Sequence, residues 1–200
     1  LFNTVLAIEL VTFPQVGQGV VFLAGFGGVH EESAVGTLRK EHPAKEQHKG
    51  QIVAGVVFDP AKDEMFFAEK GTGAWMNEGR LRVSGRSRMI ESVFATGLPF
   101  GGRGDLPDTL RDLGRILPVC AGVRRWGSAA LDLAYVAAGR YDGYWERRLN
   151  KWDLAAGMLI VREAGGMVEP LNPEGNILDD GEIVCANEAL FSGFSKIARG

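Results

Sequence analysis

The amino-acid sequence predicts a layered α/β protein. Short β-branched runs begin at residue 51, and strand-like and helix-like segments alternate through the second half of the chain. Such alternation is typical of helices packed on a sheet. The 200 residues, 46% hydrophobic and 24% charged, suit one large domain with a sizeable core. We divide this domain into an atypical part (1–50), a β-meander (51–90) and an α/β part (91–200).

The meander begins with a predicted β-hairpin. Residues 51–58 form a β-branched run, residues 59–63 (Asp-Pro-Ala-Lys-Asp) supply turn chemistry, and residues 64–69 form the second strand. Residues 71–77 and 81–83 extend the meander. By contrast, residues 36–49 are polar and lack a clear period, which predicts a loop.

The second half predicts strands and helices in turn. The expected strands cover residues 92–97, 119–125, 141–146, 166–169 and 182–186. The expected helices cover residues 106–117, 129–138, 152–164 and 188–198.

The helix after residue 150 is the most distinctive of these elements. Its residues 154–161 leave almost no polar face, which predicts packing on several sides. Asp153 lies in its first turn, where side-chain oxygens cap helix amides, and Gly165 or Gly166 can end it in a left-handed turn. Asp153 is therefore either a plain N-cap or a functional carboxylate that works with Glu146, at the end of the preceding strand.

Composition excludes several classes of protein. The net charge of −3 and the scattered basic residues predict neither a nucleic-acid surface nor a membrane surface. The apolar run over residues 1–10 is too short and too polar for a transmembrane helix. Cys120 and Cys185 lie in apolar settings, so we expect buried thiols and a cytoplasmic protein. Because the chain begins with Leu1 rather than Met, we also expect its true start to be missing.

The sequence also limits the available chemistry. It contains no Gly-x-x-x-x-Gly-Lys-Ser/Thr loop and no Gly-x-Ser-x-Gly elbow, and the Gly-Phe-Gly-Gly run at 25–28 is a weak, partial dinucleotide motif. Every histidine precedes residue 49, so the well-patterned part must rely on carboxylates, hydroxyls and bound metal. Mg²⁺ prefers such oxygen ligands, commonly together with substrate phosphate.

Phosphate favours the amides at helix N-termini. Two predicted helices here start directly after strands, one at Gly127-Ser128-Ala129 and one at Trp152-Asp153. A phosphate on these amides and a metal on Asp153 would form a phosphoryl-transfer site. For Gly127 and Ser128, a tight turn with a serine N-cap explains the pattern equally well.

Several motifs in a fixed order resemble the inositol monophosphatase family, particularly its bacterial members. The resemblance runs from about His48 to the end of the chain. It is carried by Gly-Gln-Ile-Val-Ala-Gly-Val-Val at 50–57, Gly-Thr-Gly-Ala-Trp at 71–75, Gly-Ser-Ala-Ala-Leu at 127–131, Tyr-Trp-Glu at 144–146 and the Trp-Asp-Leu-Ala-Ala-Gly to Glu-Ala-Gly-Gly segment at 152–166.

This resemblance implies a layered αβαβα sandwich, usually dimeric, that hydrolyses small phosphorylated polyols or sugars with Mg²⁺. It implies that Asp153 is a metal ligand that also helps to hold a substrate hydroxyl. The residue matching Glu146 hydrogen-bonds polyol hydroxyls. The resemblance also implies that bound metal ions would activate a water for in-line attack on phosphorus, opposite the leaving alkoxide.

The resemblance implies further site residues earlier in the chain. Gly127, Ser128 and Ala129 match a segment that contacts substrate through its backbone. The His-Glu-Glu-Ser tetrapeptide at 30–33 resembles the family's Gly-Glu-Glu-Ser segment, so Glu31 would be the other metal ligand and would share the catalytic role with Asp153.

One departure divides the functional hypotheses. The family's central metal motif, Asp-Pro-Ile/Leu-Asp-Gly-Thr, is absent, and Asp59-Pro60 cannot replace it because it falls in the hairpin turn. Our leading hypothesis is an Mg²⁺-dependent phosphomonoesterase whose first 50 residues are disrupted or truncated, because the family pattern stops abruptly before His48. The alternative is a catalytically impaired protein of the same fold that acts through dimer or partner contacts.

Overall fold

The structure, a computed structural model, is built from two β-sheets with helices between and outside them. It describes residues 52–99 and 106–200 in full, and the backbone of two strands that precede them. Glu31, one of the two expected metal ligands, lies outside the described residues.

The first sheet contains six strands in the order β2-β1-β3-β4-β5-β6. Strand β1 is parallel to β3, and the other neighbours are antiparallel. The strands are β1 (Val20–Gly25), β2 (Ala34–Thr37), β3 (Ile52–Asp59), β4 (Glu64–Glu69), β5 (Gly73–Met76) and β6 (Gly79–Arg80).

The predicted hairpin is confirmed, with one difference at its turn. Asp59 pairs with Glu64 at the end of the β3–β4 ladder, so the connection has four residues rather than five. The expectation of a loop from residue 36 onward is wrong at its start, because β2 continues to Thr37 by pairing with β1.

The second sheet contains five strands in the order β10-β11-β9-β7-β8. Strand β7 is parallel to both β8 and β9, whereas β11 is antiparallel to β9 and β10. The strands are β7 (Val93–Thr96), β8 (Gly122–Arg124), β9 (Gly143–Glu146), β10 (Gly166–Glu169) and β11 (Ile183–Asn187). The carboxyl ends of β7, β8 and β9 therefore share one edge.

Five α-helices occur in the described part of the chain. They are α1 (Leu106–Ile116), α2 (Ala129–Ala137), α3 (Lys151–Glu163), α4 (Ile177–Asp180) and α5 (Glu188–Arg199), and short 3-10 helices cover Met89–Glu91 and Leu117–Val119. The 3-10 helix at 117–119 explains why the strand predicted over 119–125 contains only three residues. Helix α4 was not predicted. No helix among the described residues is long and apolar enough to cross a membrane.

Helices α2 and α3 lie between the sheets. One hydrophobic cluster joins Phe66 of the first sheet, Leu133 of α2, Ile160 of α3 and Tyr144 of the second sheet. A second cluster packs α1 and α5 on the outer face of the second sheet through side chains that include Ile116, Phe94 and Phe194. The layer order is thus β-α-β-α, which confirms the predicted layered α/β class. A fifth layer is not among the described residues.

Helix α3 is buried over residues 154–161, as predicted. It packs directly on the first sheet, because a Cβ added to Gly55 of β3 would lie 2.9 Å from the Ala156 Cα. The helix ends at Glu163, and the left-handed turn expected after it is at Gly165, which has a φ of +88°. Cys120 and Cys185 are buried free thiols, which confirms that expectation as well.

Candidate active site

The predicted site residues within the described chain meet at one edge of the second sheet. The carboxyl ends of β7 and β9 lie there, as do the loop after β8 and the N-termini of α2 and α3. In open α/β sheets this edge is the usual position of a ligand, and helix N-termini favour anions. Three segments that are distant in the chain therefore lie at the same edge of this sheet.

Glu146 is the last residue of β9 and is held by two hydrogen bonds. The Tyr144 hydroxyl donates to Oε2, and the backbone N–H of Gly97 also donates to this carboxylate. The missing side chain of Gly97 leaves room for this carboxylate, because an added Cβ would lie 1.8 Å from Oε1 of Glu146 and would displace it. Burial raises the pKa of Glu146 to about 7, helped by the nearby charge of Asp153 and opposed by the Tyr144 hydrogen bond.

Asp153 is the third residue of α3. The interpretation of Asp153 as the N-cap of this helix is therefore wrong. The N-cap is Asn150, which has extended backbone angles of −86° and 161°, whereas Asp153 is helical. The Asn150 backbone N–H donates to Oδ2 of Asp153 at 3.0 Å, the return contact of a capping box. Asp153 therefore has a local structural role in the capping box. This half-buried carboxylate is also near enough to Glu146 for its charge to raise the pKa of Glu146.

Gly127, Ser128 and Ala129 form the start of α2. Gly127 has a φ of +101°, and Ser128 is the N-cap whose side-chain oxygen accepts from the Leu131 N–H at 3.4 Å. The turn-and-cap interpretation is therefore confirmed. Contact between this backbone and a substrate stays a prediction.

Asp132 was missed by the sequence analysis. It lies one turn into α2, is only 1% exposed, and its Oδ1 has no hydrogen-bond partner among the described residues. Burial first, and then the charge of Glu146, raise the pKa of Asp132 to about 8, whereas Arg125 acts in the opposite direction. A carboxylate within an otherwise apolar helix was the sequence signal that could have revealed it.

The described residues alone do not complete a metal site. Within residues 52–99 and 106–200, no three His, Cys, Asp or Glu side chains are grouped as potential metal ligands. The carboxylate of Asp153 is of the chemical type that Mg²⁺ prefers and would supply one ligand of such a site. A complete ligand set would require residues outside the described chain, such as Glu31.

Comparison with known proteins identifies the class. The family model described as "Inositol monophosphatase family" matches residues 47–199, so the chain belongs to this family. The match confirms the family resemblance and its start near His48.

Particular relatives are consistent with this assignment. The chain is 50% identical over 144 residues to the inositol-1-monophosphatase of Mesorhizobium japonicum, covering 72% of this chain and 54% of the relative. It is 44% identical over 147 residues to Nus factor SuhB of Pseudomonas aeruginosa, covering 72% and 54%. The crystal structure of SuhB from Bartonella henselae aligns with a TM-score of 0.71 and 45% identity, covering 75% of this chain and 57% of that one. The chain spans about half the length of the curated relatives it matches.

Proposed function

We propose that this protein is a phosphomonoesterase that uses Mg²⁺ to hydrolyse inositol monophosphate or a related sugar phosphate. The observation that carries the proposal is the meeting of Glu146, Asp153 and the N-terminus of α2 at one edge of the second sheet. Family membership supports the same reaction class.

The three groups suit different parts of such a substrate. The backbone amides at Gly127, Ser128 and Ala129 would receive the phosphate, because a helix N-terminus carries unpaired donors and positive potential. Glu146 would bind a ring hydroxyl. With a pKa of about 7, its carboxyl group can accept a hydrogen bond when ionised and donate one when protonated.

Asp153 would hold the metal and a substrate hydroxyl next to the phosphate. Glu31 is the second proposed metal ligand, and this proposal rests on the sequence resemblance alone. When bound, Mg²⁺ supplies an activated water and offsets phosphate charge. The protein's own part is to hold the ester between α2 and Glu146 so that it remains oriented.

Phosphate release from inositol 1-phosphate in the presence of Mg²⁺ tests this proposal. We expect Asp153→Asn to lower turnover on the order of a hundredfold, since it removes a ligand charge but preserves side-chain size. Asp63→Asn, in the exposed hairpin turn, is the matched control and should retain activity. Full turnover in Asp153→Asn would remove Asp153 from the site.

A second candidate is a catalytically impaired protein that acts through dimer or partner contacts. Two observations favour it: the family's Asp-Pro-Ile/Leu-Asp-Gly-Thr motif is absent from the sequence, and some relatives are named Nus factors rather than phosphatases. Titration calorimetry with millimolar MgCl₂ separates the candidates, because a protein that binds no Mg²⁺ cannot use it in catalysis.

We also propose that the protein is a cytoplasmic homodimer. The family resemblance supports the dimer, and the two buried free thiols, which suit a reducing compartment, support the cytoplasm. Sedimentation equilibrium of the purified protein tests the first statement, and cell fractionation tests the second.

A further inference from the structure

Lys62 lies in the β3–β4 turn of the first sheet and contacts helix α2. Its Nζ donates to Oδ2 of Asp59 at 3.1 Å and to the hydroxyl of Tyr135. Asp59 is only 5% exposed and also accepts from the Tyr135 hydroxyl at 3.1 Å. The hydrogen bond to Tyr135, and then that to Asp59, raise the pKa of Lys62, so its ammonium group remains charged.

The same ammonium group lies against Trp126, in the loop between β8 and α2. Its Nζ is 4.8 Å from the centroid of the Trp126 ring and 4.8 Å from that of Tyr135. The Trp126 and Tyr135 rings are 6.4 Å apart and tilted by 56°. Because Trp126 is 55% exposed, burial contributes little to fixing its ring. The contacts of the ring with Lys62 and Tyr135 therefore contribute more to its position.

Trp126 is directly followed by the backbone that begins the proposed phosphate site. Gly127 has a φ of +101°, a conformation open to it because it lacks a Cβ, and glycine by itself does little to hold the backbone in one conformation. If loss of the ring contacts lets the Trp126 backbone shift, the adjoining N–H groups of Gly127 and Ser128 shift with it. Displacements of about 1 Å in such groups are large enough to weaken binding and catalysis.

We propose that Lys62 is a positioning residue for the substrate site, which fixes the β8–α2 loop through the Trp126 ring. This role rests on the proposed phosphatase function. A residue in the β3–β4 turn of the first sheet would thus hold the loop that follows β8 of the second sheet.

The fold offers a way to remove Lys62 without separating these elements. Arg140, just after α2, makes two hydrogen bonds of 2.6 Å to the carboxylate of Glu64 in β4. Its guanidinium also lies 4.7 Å from the Tyr135 ring centroid. These contacts should keep the hairpin attached to α2 in a Lys62 variant, and Asp59 would keep its hydrogen bond from the Tyr135 hydroxyl.

The test compares Lys62→Met, Lys62→Arg and the control Lys196→Met in the purified protein. Lys196 is exposed on α5, far along the chain from the loop. We expect Lys62→Met to raise KM for inositol 1-phosphate about threefold to tenfold, as loss of a cation–π contact implies, with kcat changed less than about twofold. Lys62→Arg should restore most of the affinity, and Lys196→Met should match the native protein.

A second measurement does not depend on activity. Acrylamide quenching of Trp126 fluorescence is obtained by subtracting the signal of the corresponding Trp126→Phe protein. In Lys62→Met the ring should become more accessible to acrylamide, whereas Lys62→Arg should keep it protected. Unchanged quenching together with an unchanged KM in an active Lys62→Met protein would overturn the positioning role while leaving the phosphatase proposal intact.

A double-mutant cycle tests whether Lys62 affects KM through Trp126. If Lys62 acts through Trp126, adding Lys62→Met to Trp126→Leu should not raise KM further. Fully additive effects would contradict the proposed route. A native protein with no phosphatase turnover would contradict the proposed function, and the positioning role with it, so this failure is distinct from the previous one.

Discussion

The hydroxyl of Tyr144 donates a hydrogen bond to Oε2 of Glu146, two residues along the same strand. Tyr144 is fully buried, and burial raises the pKa of its phenol well above the ordinary value, so the hydroxyl keeps its proton and remains a donor. Together with the Gly97 amide, this donor fixes the orientation of the carboxylate that we assign to polyol binding.

Tyr144→Phe should raise the pKa of Glu146 above about 7, because the hydrogen bond favours the ionised carboxylate and its loss favours the protonated one. The change should also cost about 1–2 kcal/mol of unfolding free energy. Carbon-13 NMR titration, assigned with Glu146→Gln, measures the pKa. Tyr141→Phe is the control, and an equal pKa shift in both variants would exclude a specific role for the Tyr144 hydroxyl.

Gly97→Ala should displace the Glu146 side chain, because the new Cβ would lie 1.8 Å from Oε1. We expect kcat/KM for inositol 1-phosphate to fall about tenfold or more, since the carboxylate must leave its oriented position. Gly85→Ala is the matched control, because no atom lies within 4 Å of its added Cβ. Equal activities of the two variants would show that the close packing of Gly97 against the Glu146 carboxylate does not matter for catalysis.

Asp132→Asn should change the pH dependence of stability. The pKa of Asp132 is about 8 in the folded protein against an ordinary 3.8, so the folded state holds its proton over a range where the unfolded state loses it. The contribution of Asp132 to the unfolding free energy is thus complete below pH 3.8 and declines as pH rises to about 8, by up to about 1.4 kcal/mol per pH unit.

Asparagine removes this decline, so its stability relative to the native protein should improve between pH 5 and pH 8. Urea unfolding at the two pH values measures the difference, with Asp63→Asn as an exposed control. A variant with the same relative stability at both pH values would show that Asp132 does not titrate in this range.

Asp112→Ala should destabilise the protein by about 2–4 kcal/mol. Asp112 is 2% exposed and accepts from Arg115 Nη2 at 2.8 Å and from Arg147 Nε at 3.0 Å, so its removal leaves two partly buried guanidinium groups without this partner. Asp108→Ala, which breaks an exposed pair with Arg111, should cost less than about 0.5 kcal/mol. Thermal unfolding of both variants measures the contrast, and similar losses would contradict a special role for the buried pair.

The local sequence pattern was sufficient to predict many elements of the fold. The alternating residues of β3 and β4 and their polar turn predicted the hairpin, because a strand period and a turn signal are local properties. The continuous apolar run in α3 predicted its burial, and the double glycine predicted its end. The ordered motifs after His48 were specific enough to identify the family, which the family model confirms.

Other features depended on contacts that the sequence does not display. Asn and Asp are equally good N-cap residue types, and it is the extended backbone of Asn150 that identifies it, rather than Asp153, as the N-cap of α3. The Leu117–Val119 turn shortened β8, and α4 is too short for a periodic signal.

By itself, the sequence determined the layered α/β class, the family and the residue types available for chemistry, since these depend on periodicity and on motifs of adjacent residues. Only the tertiary structure showed that Asp132 and Gly97 belong beside Glu146 and that Lys62 reaches Trp126. The physical reason is that burial, pKa and ring contacts arise between segments distant in the chain, and these are set when the two sheets pack on α2 and α3.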